Sequence, residues 1–455
     1  MQPKENLAKP IRIVMIIQSY YPRLGGAERQ LAAIVRRLEG QGYEFSILTR
    51  RYPGLQAYER VDGVPVYRLP AFGPKILAGI LFRLSALFTL WRIKPDLIHA
   101  HELLSPSYIA VFARRIFGVP VVAKVLRGGE LGDLDKLQRK PFGKWRIALF
   151  RRYIDRFIVI SREIDDELAH IGVPPDHRIH IPNGVDIERF APLADDKMQK
   201  MRSSLGFSSN LMAIYSGRLE TEKRVNLLVD LWPRIRADHS DAILIILGSG
   251  SQETELKRIA GEGICFLGQV DDVVPYLQIT DLFILPSITE GLSNALLEAM
   301  AMGVVPIVLN NQAEMHIVED GVTGLVVKSP HELAQAVEWL SNNRSEMIAM
   351  SHRAMKATKA KYTTEHMEHS LSMQWREMMN EPKKSIQFEG IFGKSPSDWF
   401  RVFDRSKSIF QDNGDVCTPE GDSRHIYLER TKGSVHQFLN YFPDDPMFQN
   451  WAKHL

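Results

Sequence analysis

Short runs of aliphatic and β-branched residues recur from Ile11 to Val327, and most successive runs are separated by a stretch with helical spacing. Such an alternation builds parallel sheets covered by helices on both faces, because parallel neighbours need a crossover and both sheet faces must then be buried. Ile11-Arg-Ile-Val-Met-Ile-Ile17 has the length and branching of a buried strand, and Glu28 to Glu39 follows with Leu31, Ile34, Val35 and Leu38 on one helical face. Further strands are expected at Phe45–Thr49, Leu97–His99, Val119–Ala123 and Phe157–Ile160. A second cycle opens after Phe190, with strands at Met212–Ser216, Ala242–Leu247, Cys265–Leu267, Leu282–Leu285, Val305–Val308 and Gly324–Val327. The interruption between the cycles falls near Pro182–Pro192. The pattern is that of two α/β domains in tandem.

Helical spacing continues through Glu332–Asn342 and Glu346–Met379, and the character changes after Pro382. Lys383 to Leu455 carries aromatic clusters between polar turns, with no period and no chemical motif, so it reads as a small appended module or a partly disordered tail. No secretory leader is expected, because Met1 to Pro10 is polar, and no spanning segment either, since Arg83 interrupts the longest apolar stretch, Ile76–Trp91. Cys265 and Cys417 lie too far apart to form a ligand cluster and fit a reducing compartment. A soluble, cytoplasmic chain is the expectation. Charge is uneven: Met1–Phe190 holds 30 Lys/Arg against 19 Asp/Glu, and the remainder 27 against 35. A basic half suits an anionic partner such as nucleic acid, a phosphorylated acceptor or an anionic membrane face, although many of these charges could simply be solvated. No nucleic-acid-binding module is recognisable, so that partner is set aside.

Four turns carry residues capable of chemistry. Gly25-Gly26 sits between the first strand and first helix, where backbone amides favour an anion or polar ligand. It is not G-x-G-x-x-G, so the dinucleotide fingerprint is absent, and a tight turn needs glycine anyway. Gly248-Ser-Gly250 follows a strand in the same way, with Glu253 in the third glycine's place. Gly217-Arg-Leu-Glu-Thr-Glu-Lys223 opens the second cycle's first helix and puts Arg218 and Lys223 at a sheet's carboxyl edge, where a diphosphate could sit. The most specific stretch is Glu290-Gly-Leu-Ser-Asn-Ala-Leu-Leu-Glu298, with Glu290 in the turn after a strand and Glu298 about two turns into an otherwise apolar helix. Glutamate near a helix start can be a cap; a carboxylate among Ala, Leu and Met needs a hydroxyl or cation partner.

These two carboxylates in a strand–helix context, preceded by G-R-L…K and by Ile181-Pro-Asn-Gly-Val-Asp186, resemble the retaining glycosyltransferases of family 4, from about Ile11 to Met379. The resemblance implies the GT-B fold: two Rossmann-like, doubly wound α/β domains facing a central cleft. They would span residues 1–188 (acceptor side, completed by a crossover helix at about 355–380) and 189–354 (nucleotide-sugar side), with an extension of unknown role at 381–455. It further implies that Arg218 and Lys223 grip the donor's diphosphate in place of a metal, with no cofactor. Glu298 would accept from the ribose, Glu290 would hold the sugar's hydroxyls, and the amides of Gly291, Leu292, Ser293 and Asn294 would reach sugar or phosphate. Gln269 and Val270 would lie by the base, with Gly248 nearby, and Gly25 and Gly26 would approach the donor from across the cleft.

The family often has a His before Gly in the turn after the Val119–Ala123 strand. This chain reads Lys124-Val-Leu-Arg-Gly-Gly-Glu instead, so either Arg127 meets the sugar or acceptor there or another group does. His99 and His101 leave the preceding strand and are expected to face the same cleft, His101 being the favoured contact. Glu130 and Asp133 could hold acceptor hydroxyls, and Asp133-Leu-Asp135 matches the metal-binding D-x-D only by accident. Lys75–Lys94 and Phe142–Arg152 mix apolar residues with cations and could lie on the inner face of a membrane as peripheral elements, or pack as ordinary core helices. The expected activity is retaining, metal-independent transfer from a UDP-sugar, with GDP-mannose second, to a saccharide or glycolipid acceptor in cell-surface assembly. A nucleotide-sugar epimerase or hydrolase on the same fold, or an inactive homologue serving as a binding partner, are the alternatives.

Overall fold

A computed structural model describes residues 9–381 except 24, 72–74, 141, 208, 288–289 and 311–315. The extension expected from 381 onward therefore lies, apart from Glu381, outside the described residues. Fourteen strands are described: β1 Ile11–Ile16, β2 Tyr43–Arg50, β3 Tyr58–Val61, β4 Val64–Leu69, β5 Leu97–His101, β6 Val121–Lys124, β7 Arg156–Val159, β8 Arg178–His180, β9 Met212–Ser216, β10 Ile243–Leu247, β11 Ile264–Gly268, β12 Leu282–Leu285, β13 Val305–Leu309 and β14 Leu325–Val327. The helices are α1 Gly26–Leu38, α2 Lys75–Ile93, α3 Ser105–Phe117, α4 Asp133–Gln138, α5 Gly143–Tyr153, α6 Arg162–His170, α7 Asp195–Ser204, α8 Asn226–Asp238, α9 Glu253–Ile259, α10 Val274–Leu277, α11 Asn294–Ala301, α12 Pro330–Asn342, α13 Arg344–Lys361 and α14 Thr364–Asn380.

The strands form two sheets, ordered β3-β4-β2-β1-β5-β6-β7-β8 and β11-β10-β9-β12-β13-β14. All pairings are parallel except β3 with β4. The molecule thus has two Rossmann-like α/β domains. In each sheet the chain winds outward in one direction from its first strand and then returns to wind in the other. The switch points fall between β1 and β5 and between β9 and β12. Loops leaving the carboxyl ends of strands diverge at such a point and open a crevice, the usual ligand position in open α/β sheets.

The link between the domains explains the Ile181–Asp186 stretch residue by residue. The Gly184 carbonyl accepts from the Gln30 side chain of α1 at 2.8 Å. A Cβ on Gly184 would lie 2.6 Å from the Thr364 Cα, so the two chain crossings can touch only with glycine there. Val185 donates to the Tyr362 carbonyl (2.8 Å) and accepts from the Thr364 amide (3.0 Å), tying the outgoing and returning strands of chain together. Asp186 caps the amides of Glu188 and Arg189.

The returning chain differs from expectation. The helical stretch expected over Glu346–Met379 is two helices, broken where Thr363 caps the His366 amide at 3.2 Å. Residues up to Lys361 pack on the second domain, so the crossover expected at about 355–380 is confined to α14. Trp375 of α14 is fully buried edge-on to Tyr43 (5.5 Å), Phe45 (5.9 Å) and His99 (5.8 Å) of the first sheet. Burying one such side chain stabilises by roughly 1.5–3 kcal/mol, and Met367, Leu371 and Met378 join the same cluster. The last described residue, Glu381, pairs with Arg156 of β7. The β3–β4 hairpin and β8 were not expected from the sequence; Tyr58-Glu-Arg-Val61 is a half-exposed edge strand with no apolar run to mark it.

Candidate active site

The second domain's switch point is built by the loops after β9 and β12. After β9 the chain passes through Gly217, whose neighbour across the sheet edge is Gly248: a Cβ on Gly248 would sit 1.9 Å from the Gly217 carbonyl oxygen, and its φ of +126° also favours glycine. A Cβ on Gly250 would meet the Leu219 carbonyl at 2.3 Å. Both glycines therefore let two loops pack backbone to backbone, with Gly248 serving the loop itself. The expected helix start at Arg218–Lys223 is instead a loop ending in a short 3-10 turn, Thr221–Lys223, and the helix begins only at Asn226. That turn lets Lys223 fold back: its Nζ meets the Glu290 Oε1 at 2.5 Å, with the two side chains 12% and 14% exposed. Arg218 lies at the rim, 52% exposed, paired with Glu222 at 3.0 Å, while its carbonyl accepts from the Tyr215 hydroxyl. Gln269 is exposed at the end of β11 and Val270 packs partly into the core.

After β12, Ser293 caps α11 by accepting from the Leu296 amide at 3.3 Å. Glu298 stands one turn into that helix, not two, because α11 begins at Asn294. Burial raises its carboxyl to about 7, against the pull of Arg29 and Arg189. A largely desolvated carboxyl that feels two cations, with no donor bonded to it among the described residues, is prepared to accept from a ligand's hydroxyls. The ionised form is the better acceptor, so a hydroxyl-bearing ligand should bind more tightly as pH rises through about 7 and lose up to about tenfold in affinity per pH unit below it. Titrating the affinity for a nucleotide-diphosphate sugar, whose diphosphate does not itself titrate there, checks this in wild type and Glu298→Gln. A flat profile in the wild type contradicts the assignment; a flattened one in the variant only is the expected result.

The two switch points face each other. The Asn294 Nδ2 donates to the Gly26 carbonyl at 3.0 Å, and a Cβ on Gly26 would lie 3.0 Å from that nitrogen. The Asn294 Oδ1 accepts from Asn183 Nδ2 (2.9 Å), and the Asn183 Oδ1 accepts from Lys124 Nζ (2.7 Å). Asn294 is therefore a bridge between domains in this structure. Gly291 is another: its Cβ would fall 1.8 Å from the Leu126 carbonyl oxygen of the first domain. Leu292 is buried beside it. Gly25 caps α1, its amide bonded to Glu28 at 3.0 Å, and the same carboxylate takes the Ser19 hydroxyl at 2.5 Å.

Two expectations on the first domain are corrected. His99 and His101 do not open into the cleft. They are two apart on a strand, so both point to the same sheet face, the one covered by α14; their rings stack at 4.6 Å and both are buried. Burial and the neighbouring Lys124 hold His99 at about 3, and burial with His99 and Lys124 holds His101 well below its ordinary value, so both are neutral. Asp133 is buried and its Oδ2 accepts from the amides of Leu103 (3.2 Å) and Leu126 (3.1 Å), which makes it the anchor of the loop after β6 rather than a group facing the cleft. Asp135 turns away from it to pair with Arg139 at 2.9 Å. Glu130 is exposed on the same loop, and Arg127 is half-buried there, its carbonyl accepting from the Asp133 amide at 3.0 Å.

Sequence reasoning missed Lys124 and Asn183 as site residues. Lys124 is a fully buried cation whose ammonium burial pulls down to about 8. A lysine closing an otherwise apolar central strand was the available signal. Glu102, just past β5, was missed as well; it holds a positive φ of +86°, and burial with the nearby Asp133 raises its carboxyl to about 7.

Two family models match the chain, Glycosyltransferase Family 4 over residues 24–189 and Glycosyl transferases group 1 over residues 197–360. A GDP-mannose-dependent alpha-mannosyltransferase of Corynebacterium glutamicum is 26% identical over 371 residues, covering 77% of this chain and 86% of that protein. The UDP-Gal:alpha-D-GlcNAc-diphosphoundecaprenol alpha-1,3-galactosyltransferase of Escherichia coli is 25% identical over 322 residues, covering 68% and 82%. Among solved structures, HepE of Anabaena in complex with UDP-glucose superposes with a TM-score of 0.68 at 18% identity, covering 81% of this chain and all of that one. At that identity the likeness is one of fold.

Proposed function

This chain belongs to glycosyltransferase family 4, the group 1 glycosyl transferases on the GT-B fold, and on that premise we propose that it moves a sugar, with retention and without a metal, from a nucleotide-diphosphate sugar to a hydroxyl of a saccharide or glycolipid. A UDP-sugar is the first choice of donor and GDP-mannose the second; the similar proteins named above use one or the other. The observation that carries this reading is the enclosed Lys223–Glu290 pair at the second domain's switch point, opposite Gly26 and the loop after β6.

In this structure each partner neutralises the other. A bound donor separates their tasks: Lys223, joined by Arg218 swinging in from the rim, takes the diphosphate, and Glu290 takes hydroxyls of the sugar. Glu298 accepts from the ribose. As the bond between the anomeric carbon and the phosphate oxygen breaks, negative charge grows on the diphosphate, and fixed cations in a water-poor site stabilise it. The acceptor oxygen attacks the same face, and its proton passes to the departing phosphate oxygen. The cation that a metal would supply is supplied by Lys223 and Arg218.

The acceptor lies on the basic first domain. No helix among the described residues is long and apolar enough to cross a membrane. Leu84 of α2, Phe142 and Trp145 are 61%, 80% and 55% exposed beside Arg83, Lys144 and Arg146, which supports peripheral contact with an anionic membrane face, on the cytoplasmic side. Glycolipid or cell-surface polysaccharide assembly is the process proposed.

Thermal-shift titration with UDP, GDP, ADP and their sugars, without divalent metal, tests the donor assignment. A ligand at about 100 times its Kd stabilises the native state by about 2.7 kcal/mol, so one nucleotide family should raise Tm in the wild type and fail to do so in Lys223→Ala. No shift with any of them overturns the reading. Sugar release at full rate without an acceptor would instead favour a hydrolase.

A further inference from the structure

Three elements of the first domain bring cations around α3 at the carboxyl edge of its sheet. Arg50 ends β2, with its guanidinium 5.2 Å over the Phe82 ring and an NH2 nitrogen 3.4 Å from the Ser105 hydroxyl at the head of α3. One turn further along α3, the Tyr108 ring has the guanidinium of Arg146 of α5 at 5.2 Å and that of Arg83 of α2 at 5.8 Å from its centre, and meets Phe150 edge-on at 4.9 Å. Two polar atoms in this cluster are buried without a partner: the Arg50 Nε and the Tyr108 hydroxyl. Both can donate, and buried donors in folded proteins are nearly always satisfied.

We propose that this cluster is a phosphate-binding subsite and that the acceptor is therefore a phosphate ester, gripped by Arg50, Arg146, Arg83 and the Tyr108 hydroxyl. The inference rests on the first domain being the acceptor side of the transfer. The charge balance supports it. Burial comes first in lowering the Lys140 ammonium, and Arg146, Lys136 and Arg50 lower it further, with Glu102 alone opposing. Glu102 neutralises only in part, since its carboxyl is raised to about 7. Asp133, which neighbours Glu102, has its Oδ2 committed to two backbone amides. An excess of like charge held on a rigid frame is costly unless an anion shares it. A phosphate offers acceptor oxygens to planar guanidinium donors and to a hydroxyl, the combination found here. The donor's own phosphates belong to Lys223 on the opposite domain, so this second cationic centre calls for a second phosphate.

A soluble sugar phosphate and a lipid headgroup share that chemistry, and two arms of one experiment separate them. With the nucleotide that raises Tm present at saturation, binding of glucose 6-phosphate against glucose is measured by calorimetry. Binding to phosphatidylcholine vesicles with and without phosphatidylinositol is measured by co-sedimentation. The expected result is phosphate-dependent binding in one arm, which identifies the source. Each arginine replaced should weaken it by about 10- to 100-fold in Arg50→Gln and Arg146→Gln. Tyr108→Phe keeps every charge and the stacked ring, and should still weaken it by several-fold, which non-specific attraction to an anionic surface would not show. The nucleotide-induced rise in Tm verifies that each variant is folded. Phosphate binding unchanged in all three variants, or absent from both arms while nucleotide still raises Tm, overturns the subsite. If no nucleotide raises Tm, the donor reading has failed, and the same arms without nucleotide decide the subsite by the same criterion.

Discussion

Replacing Lys223 by alanine is expected to lower the transfer rate by about two to three orders of magnitude, the usual cost of removing one preorganised group from a site of developing negative charge. The ammonium lies in an enclosed position, 12% exposed, where water screens it poorly. Its removal has a second consequence. Glu290, 14% exposed, loses its one ion-pair partner among the described residues, and orphaning one member of a buried pair destabilises by up to roughly 3–5 kcal/mol, less at this partial exposure. The two effects separate in a double variant: Lys223→Ala with Glu290→Gln removes the orphaned charge, so Tm should recover while the rate does not. Lys223→Arg keeps the charge on a longer, planar group and should fall between. Steady-state kinetics beside thermal unfolding check all three. Transfer by Lys223→Ala at the wild-type rate would remove Lys223 from the site.

The fold was legible because the buried strands announce themselves locally. Ile11–Ile16, Met212–Ser216 and Leu282–Leu285 are apolar runs bounded by turns, and each is central in its sheet. The pair of carboxylates after β12 was legible as well, since a glutamate on an apolar helix is conspicuous wherever it occurs. What escaped was set by partners far along the chain. Nothing around His101 reveals which face of β5 will be covered, because the covering residue is Trp375, on a helix that returns from the other domain. Asn183 and Lys124 look like ordinary loop and strand-end residues until the fold puts them in one hydrogen-bonded line with the side chain of Asn294. Arg50, Arg83 and Arg146 come from separate elements, and the sequence shows only the basic excess of the first 190 residues.

Gly291→Ala should cost about 100-fold in kcat/KM while leaving each domain folded. The added Cβ would stand 1.8 Å from the Leu126 carbonyl oxygen, 2.8 Å from its carbon and 3.1 Å from the Ile160 Cδ1. None of these can yield cheaply. The Leu126 amide is bonded to the buried Asp133, which also holds Leu103, so the loop after β6 is pinned at both ends. The clash is relieved most easily by parting the domains, which lengthens the Asn294–Gly26 bond and draws Glu290 away from the loop it faces. A shift of about 1 Å between reacting groups is enough for a loss of that size. Lys223 and Glu298 stay on the second domain with their own neighbours, so nucleotide should still raise Tm in the variant. Loss of transfer with nucleotide binding kept means that domain contact at Gly291 assembles the site. Full activity in Gly291→Ala would mean that the contact between Gly291 and Leu126 is dispensable in the working enzyme.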